Sequence, residues 1–234
     1  MRGHGWLGPA LRRGHARYGS AMDLTRLRER LTHDGIGGVA KAAAYRGLRA
    51  ATGLRVVHLF EKTAGASPAC DFDVRLLSAE DVGGHAGPDL PAFLAGRIEA
   101  GLSECLGAFD GKELAAFVWV GREGFPADWV YGPPLRVGPG EGYLYNAVTR
   151  RAYRGRRLFA ALTETAIRRL ELSRVLLTVE AGNGPSRRAA AAMGAVDRGR
   201  CVTWGTPYGR VLRMPSGFAL AERPGRILGE AELP

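Results

Sequence analysis

Hydrophobic positions change period along the chain, and the changes divide it into elements. Leu24, Leu27 and Leu31 line one side of a helix whose other side carries Arg26, Arg28 and Arg30. Asp23 caps that helix and Asp34-Gly35 ends it. A second helix, about 37–51, is built on small residues (Ala40, Ala42, Ala43, Ala44) and ends at Thr52-Gly53. Val56 to Phe60 reads as a short strand and 61–71 as a linker. From Phe72 the period shifts to two, giving a strand to Leu77, then an Asp/Gly/Pro-rich loop and a helix over about 91–102. Cys105–Phe109 and Leu114–Val120 flank Asp110-Gly111, which supplies the positive φ that a two-residue hairpin demands. Residues 122–141 form a Gly/Pro-rich loop. Strands follow at 143–148 and 175–179, helices from Leu158 and over about 185–193, and two last strands near 202–204 and 210–213.

Composition narrows the class. A chain of 234 residues with 46% hydrophobic and 24% charged residues is built like an ordinary globular protein with one sizeable core. No apolar run reaches the roughly 20 residues of a membrane-spanning helix. Cys70, Cys105 and Cys201 are odd in number and widely spaced, which gives neither a disulfide framework nor a metal-ligand motif. The five histidines are scattered, so no metal is expected, and a reducing, cytoplasmic setting is the simplest reading. The net charge of +10 suits nucleic acid, an anionic surface, an acidic carrier protein or a phosphate-rich ligand. Arginine is the chain's general basic residue, which accounts for most of that charge without nucleic acid.

The chemistry concentrates in residues 142–172. A short aromatic and β-branched strand (Tyr143, Leu144, Tyr145, Ala147, Val148) runs into Arg150-Arg151-Ala152-Tyr153-Arg154-Gly155-Arg156-Arg157, then into a helix with Leu158, Leu162, Ala166 and Leu170 on one face. The first amides of a helix lack intrahelical partners and carry the positive end of its dipole. With five arginines in eight residues and a glycine that permits close approach, the turn reads as a phosphate cradle. A solvated basic helix start and a nucleic-acid patch are the alternatives. Single-strand binders interleave aromatic and basic residues over a sheet face, whereas these arginines bunch in one turn. No nucleic-acid partner is expected.

Tyr153-Arg154-Gly155-Arg156 resembles the lead-in to the acyl-CoA-binding motif of the GNAT (general N-acetyltransferase) superfamily, Arg/Gln-x-x-Gly-x-Gly/Ala. Arg154 matches the first position, while Arg157 and Phe159 replace the two glycines. Ordinary right-handed dihedrals at the helix start would accommodate them. Asn183 to Ser186 resembles the family's N-x-x-S/A segment, although Pro185 and a polar residue before it are also plain helix-start chemistry. The element order from 72 to 213 matches as well, with one helix before the hairpin where the family often has two.

The resemblance implies an α/β (α+β) fold: a mixed, mostly antiparallel sheet flanked by helices, here with an N-terminal helical extension. The expected division is a disordered tail or start-site artefact at 1–21, the extension and linker at 22–71, an acyltransferase domain at 72–214 and an irregular tail at 215–234. The implied function is transfer of acetyl from acetyl-CoA, or of another acyl group, to the primary amine of a small molecule or protein by direct attack. An acyl-carrier-protein donor and a catalytically silent CoA-binding module remain open. The implied donor contacts are the backbone near Val148, Arg154, Gly155, Arg156, Arg157, Leu158, Phe159, Asn183 and Ser186. The family's tyrosine acid falls at Ala190, so Tyr145 or Tyr208 would have to substitute. Glu180, at the carboxyl end of a central strand, is the candidate base, with Glu141 and a bound water as alternatives. Acceptor identity, oligomeric state and the role of 22–71 are not encoded in a motif.

Overall fold

The computed structural model describes residues 24–66, 70–87, 89–123, 135–204 and 210–218, without the side chains of 24–35, 39, 42 and 210. The expected tail at 1–21, most of the 122–141 loop, Tyr208 and all but the first residues of the 215–234 tail lie outside them. Eight strands form one sheet in the order β2-β3-β4-β5-β6-β1-β7-β8. They are β1 (Leu54–Thr63), β2 (Asp73–Leu77), β3 (Ser103–Asp110), β4 (Glu113–Gly121), β5 (Glu141–Thr149), β6 (Arg174–Glu180), β7 (Val196–Trp204) and β8 (Arg210–Arg213). Every neighbouring pair is antiparallel except β5 and β6. This is a mixed, mostly antiparallel sheet flanked by helices.

Helices α2 (Ala79–Gly84) and α3 (Ala95–Glu99) cover one face, where Val82, Leu90 and Leu94 join Leu59, Trp119, Tyr143, Tyr145 and Leu176. Helices α4 (Leu158–Arg169) and α5 (Gly184–Ala192) lie on the other, where Leu158, Leu162, Ala166, Ala190 and Met193 pack on Phe60, Leu144, Leu177 and Val179. Alternation along β5 and β6 sends successive side chains to the two cores, as a sheet covered on both faces requires.

Several boundaries differ from the sequence expectations. The two N-terminal helices are one, α1 (Leu24–Thr52), continuous through Asp34-Gly35. A glycine inside a helix costs about 1 kcal/mol but does not break it as proline does. The strand expected at 56–60 extends over Leu54–Thr63, so the expected linker begins inside it. This strand lies between β6 and β7 and bonds to both, which places part of the N-terminal extension inside the sheet. The loop after β2 contains α2, started by a capping box in which Ser78 and Asp81 bond each other's backbone amides. The helix expected over 91–102 is a 3-10 turn, Ala92–Leu94, followed by the short α3. The hairpin forms as expected, but its loop is Gly111-Lys112, with φ +58 at Gly111 only.

Candidate functional site

Strands β5 and β6 pair only over Glu141–Leu144 and Arg174–Leu177, although they run on to Thr149 and Glu180. The paired end is held closed. Arg174 bonds Glu141 at 2.5 Å and Glu61 at 3.0 Å, and Glu61 bonds Arg198 at 3.0 Å, which ties β5, β6, β1 and β7 together. The two arginines hold the Glu61 carboxyl below its usual range, and Glu141 and Glu61 raise Arg174 despite burial. Glu141 is therefore occupied at the end of β5 remote from the basic turn.

The other end is open because β5 carries a bulge. Tyr145 faces Trp119 and Val148 faces Phe117, so Asn146 and Ala147 together oppose Val118 of β4. Asn146 takes φ +44, a left-handed conformation that asparagine tolerates better than most residues. The extra residue turns β5 out of line with β6, and a gap opens between the strands beyond Leu144 and Leu177. The Arg150 amide donates to Ala115 at 2.9 Å, and strand alternation then points the Val148 amide to β4 also. The Thr149 amide, between them, points away from β4 toward the gap.

The basic turn stands at the mouth of this gap. After a 3-10 turn at Arg151–Tyr153, the chain passes Gly155 at φ +83 and enters α4 through Arg157. Arg157 has φ 57 and ψ 22, so the right-handed conformation expected at this motif position is not the one adopted. A non-glycine residue pays roughly 1–2 kcal/mol there, and arginine sits where glycine would be unstrained. No side chain caps α4, and its first backbone bond is from the Ala161 amide to the Arg157 carbonyl. The amides of Leu158 and Phe159 are left without helical partners. Arg154 to Arg157 are exposed, while Leu158 and Phe159 turn their side chains to the core beneath. Arg154 also bonds the Thr149 carbonyl at 3.4 Å. Arg156 lies 5.7 Å from the Phe72 ring and 5.6 Å from the Tyr153 ring, which directs it toward the β2 side of the turn.

Across the gap, Asn183 caps α5 by accepting from the Ser186 amide at 3.2 Å. That bond occupies the Ser186 amide and gives both residues a structural role. Ala190 is fully buried one turn further along. Glu180, at the end of β6, is bonded through Oε1 to Arg49 of α1 at 2.5 Å and is 24% exposed. Its other carboxylate oxygen has no bond in the described structure. Tyr145 is not brought to the gap. Its hydroxyl reaches over β4, donates to Ser103 at 2.9 Å and accepts from Arg97 at 3.3 Å, and burial raises its pKa. Cys105 and Cys201 are fully buried, and burial pushes both thiols up, Cys201 to about 11. Neither is an accessible thiolate. Among the described residues no group of His, Cys, Asp and Glu could hold a metal, and no helix is long and apolar enough to cross a membrane.

Two residues beside Glu180 and one on α5 were not marked by sequence. Arg49 meets Glu180, and Tyr45 bonds both the amide and carbonyl of Val56 while its ring lies against Gly182. Their four-residue spacing on α1 is the only local sign that they work together. Arg187 lies on the inner face of α5 with a buried Nε that has no hydrogen-bond partner. An arginine at i+4 from the Asn183 cap and i−3 from the buried Ala190 is the pattern that would have drawn notice.

No family model matches the chain, and no curated protein matches it. Solved structures do. A GNAT-family protein from Novosphingobium aromaticivorans is 18% identical over 64% of this chain and 62% of its own, with a TM-score of 0.42. An acetyltransferase of the GNAT family from Colwellia psychrerythraea is 15% identical over 68% of this chain and 60% of its own, with a TM-score of 0.45. A functionally unknown conserved protein from Staphylococcus epidermidis is 13% identical over 79% of this chain and 67% of its own, with a TM-score of 0.47. The chain spans about three fifths of the length of the first two.

Proposed function

We propose that this protein transfers an acyl group, acetyl in the simplest case, from acyl-CoA to a primary amine. The observation that carries this reading is the coincidence of two features that need not occur together. A parallel strand pair parts after Leu144 and Leu177, and an uncapped helix start with a basic turn stands at the mouth of the opening. A thioester with a long arm and a diphosphate needs both: a slot for the arm and a seat for the charge. The backbone amides from Gly155 through Phe159 provide that seat, with Arg154 and Arg157 raising the local potential. Arg156 contributes less directly because its guanidinium is stacked on two rings.

The reaction is direct. The amine nitrogen attacks the thioester carbonyl, the new C–N bond forms as the C–S bond breaks, and CoA leaves as its thiolate. The Thr149 amide faces the gap and polarises the carbonyl. The amine's proton goes to Glu180 through the carboxylate oxygen that Arg49 leaves free, or to a water held there. Of the two tyrosines that could replace the family's acid, Tyr145 has its hydroxyl turned away and Tyr208 lies outside the described residues. Cys105 and Cys201 are buried with raised thiol pKa values, so neither offers an acyl-enzyme nucleophile.

Calorimetry with CoA tests the reading. Gly155→Asp sets a carboxylate against the diphosphate; no protein atom crowds a Cβ there, although φ +83 adds modest strain. The expected loss is about 100-fold in affinity, roughly 3 kcal/mol, with the circular dichroism spectrum kept. Unchanged affinity would place the donor elsewhere.

A further inference from the structure

Helix α1 is fastened to the sheet by its last two turns. Its described residues from Ile36 to Ala44 are exposed apart from Gly38. Tyr45 then accepts from the Val56 amide at 2.9 Å and donates to the Val56 carbonyl at 3.1 Å. The same carbonyl accepts from the Ala181 amide at 2.9 Å. The Tyr45 ring lies on Gly182, where a Cβ would come within 2.9 Å of it. At the end of the helix the Trp204 indole donates to the Thr52 carbonyl at 2.6 Å. The Tyr45 contacts gather round one residue: Val57, next to Val56, is the register partner of Glu180, and Ala181 and Gly182 follow it in the chain.

Arg49, one turn after Tyr45 on the same side of α1, reaches that residue directly. Its Nη1 donates to Glu180 Oε1 at 2.5 Å, with 30% and 24% of the two side chains exposed. A basic residue in a last helical turn is ordinary chemistry, favoured by the helix dipole. A charge-assisted bond to a strand end 131 positions away does more, because it fixes two long side chains that water would leave free. Glu180 lies past Leu177, the last residue of β6 paired with β5. It shares a face of β6 with Thr178, whose hydroxyl meets the Tyr143 hydroxyl of β5 at 2.5 Å.

We propose that Arg49 is a positioning residue, which holds one oxygen of Glu180 so that the other is kept in place for the amine's proton. Helix α1 is then part of the site, although it lies outside the stretch that carries the motif resemblance. This rests on the reading of Glu180 as the base. An unheld glutamate at a strand end samples several rotamers, and a base works only from those within hydrogen-bond reach of the proton it removes.

Steady-state kinetics of the full chain tests it, with acetyl-CoA and whichever of ethanolamine, spermidine, glucosamine and lysine amide is turned over fastest. Arg49→Met should lower kcat about 10- to 100-fold, with CoA affinity by calorimetry and the circular dichroism spectrum unchanged. Arg49→Lys, which can still reach one oxygen, should recover part of the loss. Glu180→Gln should lower kcat at least as far, and adding Arg49→Met to it should lower it no further, since no base is left to position. Wild-type kcat in Arg49→Met, or losses that add in the double variant, would overturn the proposal. So would a fall in CoA affinity that matches the fall in kcat, which would make Arg49 a donor ligand. If Arg49→Met does not fold, Arg49→Lys goes through the same cycle. A chain that binds CoA but turns over none of these amines would overturn the positioning role and leave the donor site standing. A chain that binds no CoA would refute the donor reading itself, and this inference with it.

Discussion

The two ends of the β5–β6 pair differ in every respect that matters to the site. At the closed end the strands are hydrogen-bonded, Gly142 is wedged between Leu172 and Val120, and Arg174 bridges two glutamates. At the open end the ladder stops, Asn146 and Ala147 bulge against one residue of β4, the Thr149 amide points away from β4, and the first amides of α4 are uncapped. Stabilising contacts are concentrated where no ligand is needed, and unmet hydrogen-bonding capacity is concentrated where one is. The closed end is what permits the open one, since two strands parted along their whole length would expose both cores.

The comparison is broken most severely by filling the closed end. A side chain at residue 142 would place its Cβ 2.7 Å from the Leu172 Cδ1 and 2.9 Å from the Val120 Cγ1. Gly142→Val should cost about 3 kcal/mol through overpacking, read as a fall in denaturant midpoint with an unchanged slope. A variant as stable as wild type would mean that the closed end is looser than described.

A smaller effect comes from the ion bridge. Glu61→Gln removes the charge that Arg174 and Arg198 share, at a cost of roughly 1–2 kcal/mol at neutral pH. The sign of its pH dependence is fixed by the depressed Glu61 pKa. The carboxylate's contribution is fully present above the unfolded value of about 4.5 and is lost as pH falls through the lower folded value. The gap in stability between wild type and variant should close as pH falls below about 4.5. A gap that persists to pH 2 would assign the loss to packing instead of charge.

What could be read from sequence was what local residues decide. The Asp110-Gly111 hairpin, the leucine face of α4 and the proline start of α5 each carry their own signal within a few positions, and each formed. The basic turn was legible for the same reason. What escaped depends on distant partners. Nothing in Leu54–Thr63 announces that it enters the sheet between β6 and β7. The left-handed Arg157 contradicts its local preference because the path from β5 into α4 sets its φ. The bulge at Asn146 decides which amide faces the gap, and the register it sets turns the Thr149 amide there and the Val148 amide to β4. Glu180 was marked by its place at a strand end, but its partner Arg49 lies 131 positions away.

The central claim is that the donor occupies the open end alone. Amide hydrogen exchange of the full chain, with and without saturating acetyl-CoA, tests this most directly because it reads both ends in one experiment. The account predicts new protection over residues 154–160 and 182–187 and at Thr149, with no change over 138–142 and 174–176. Protection confined to the closed end, or none anywhere at a concentration where calorimetry shows binding, would contradict it.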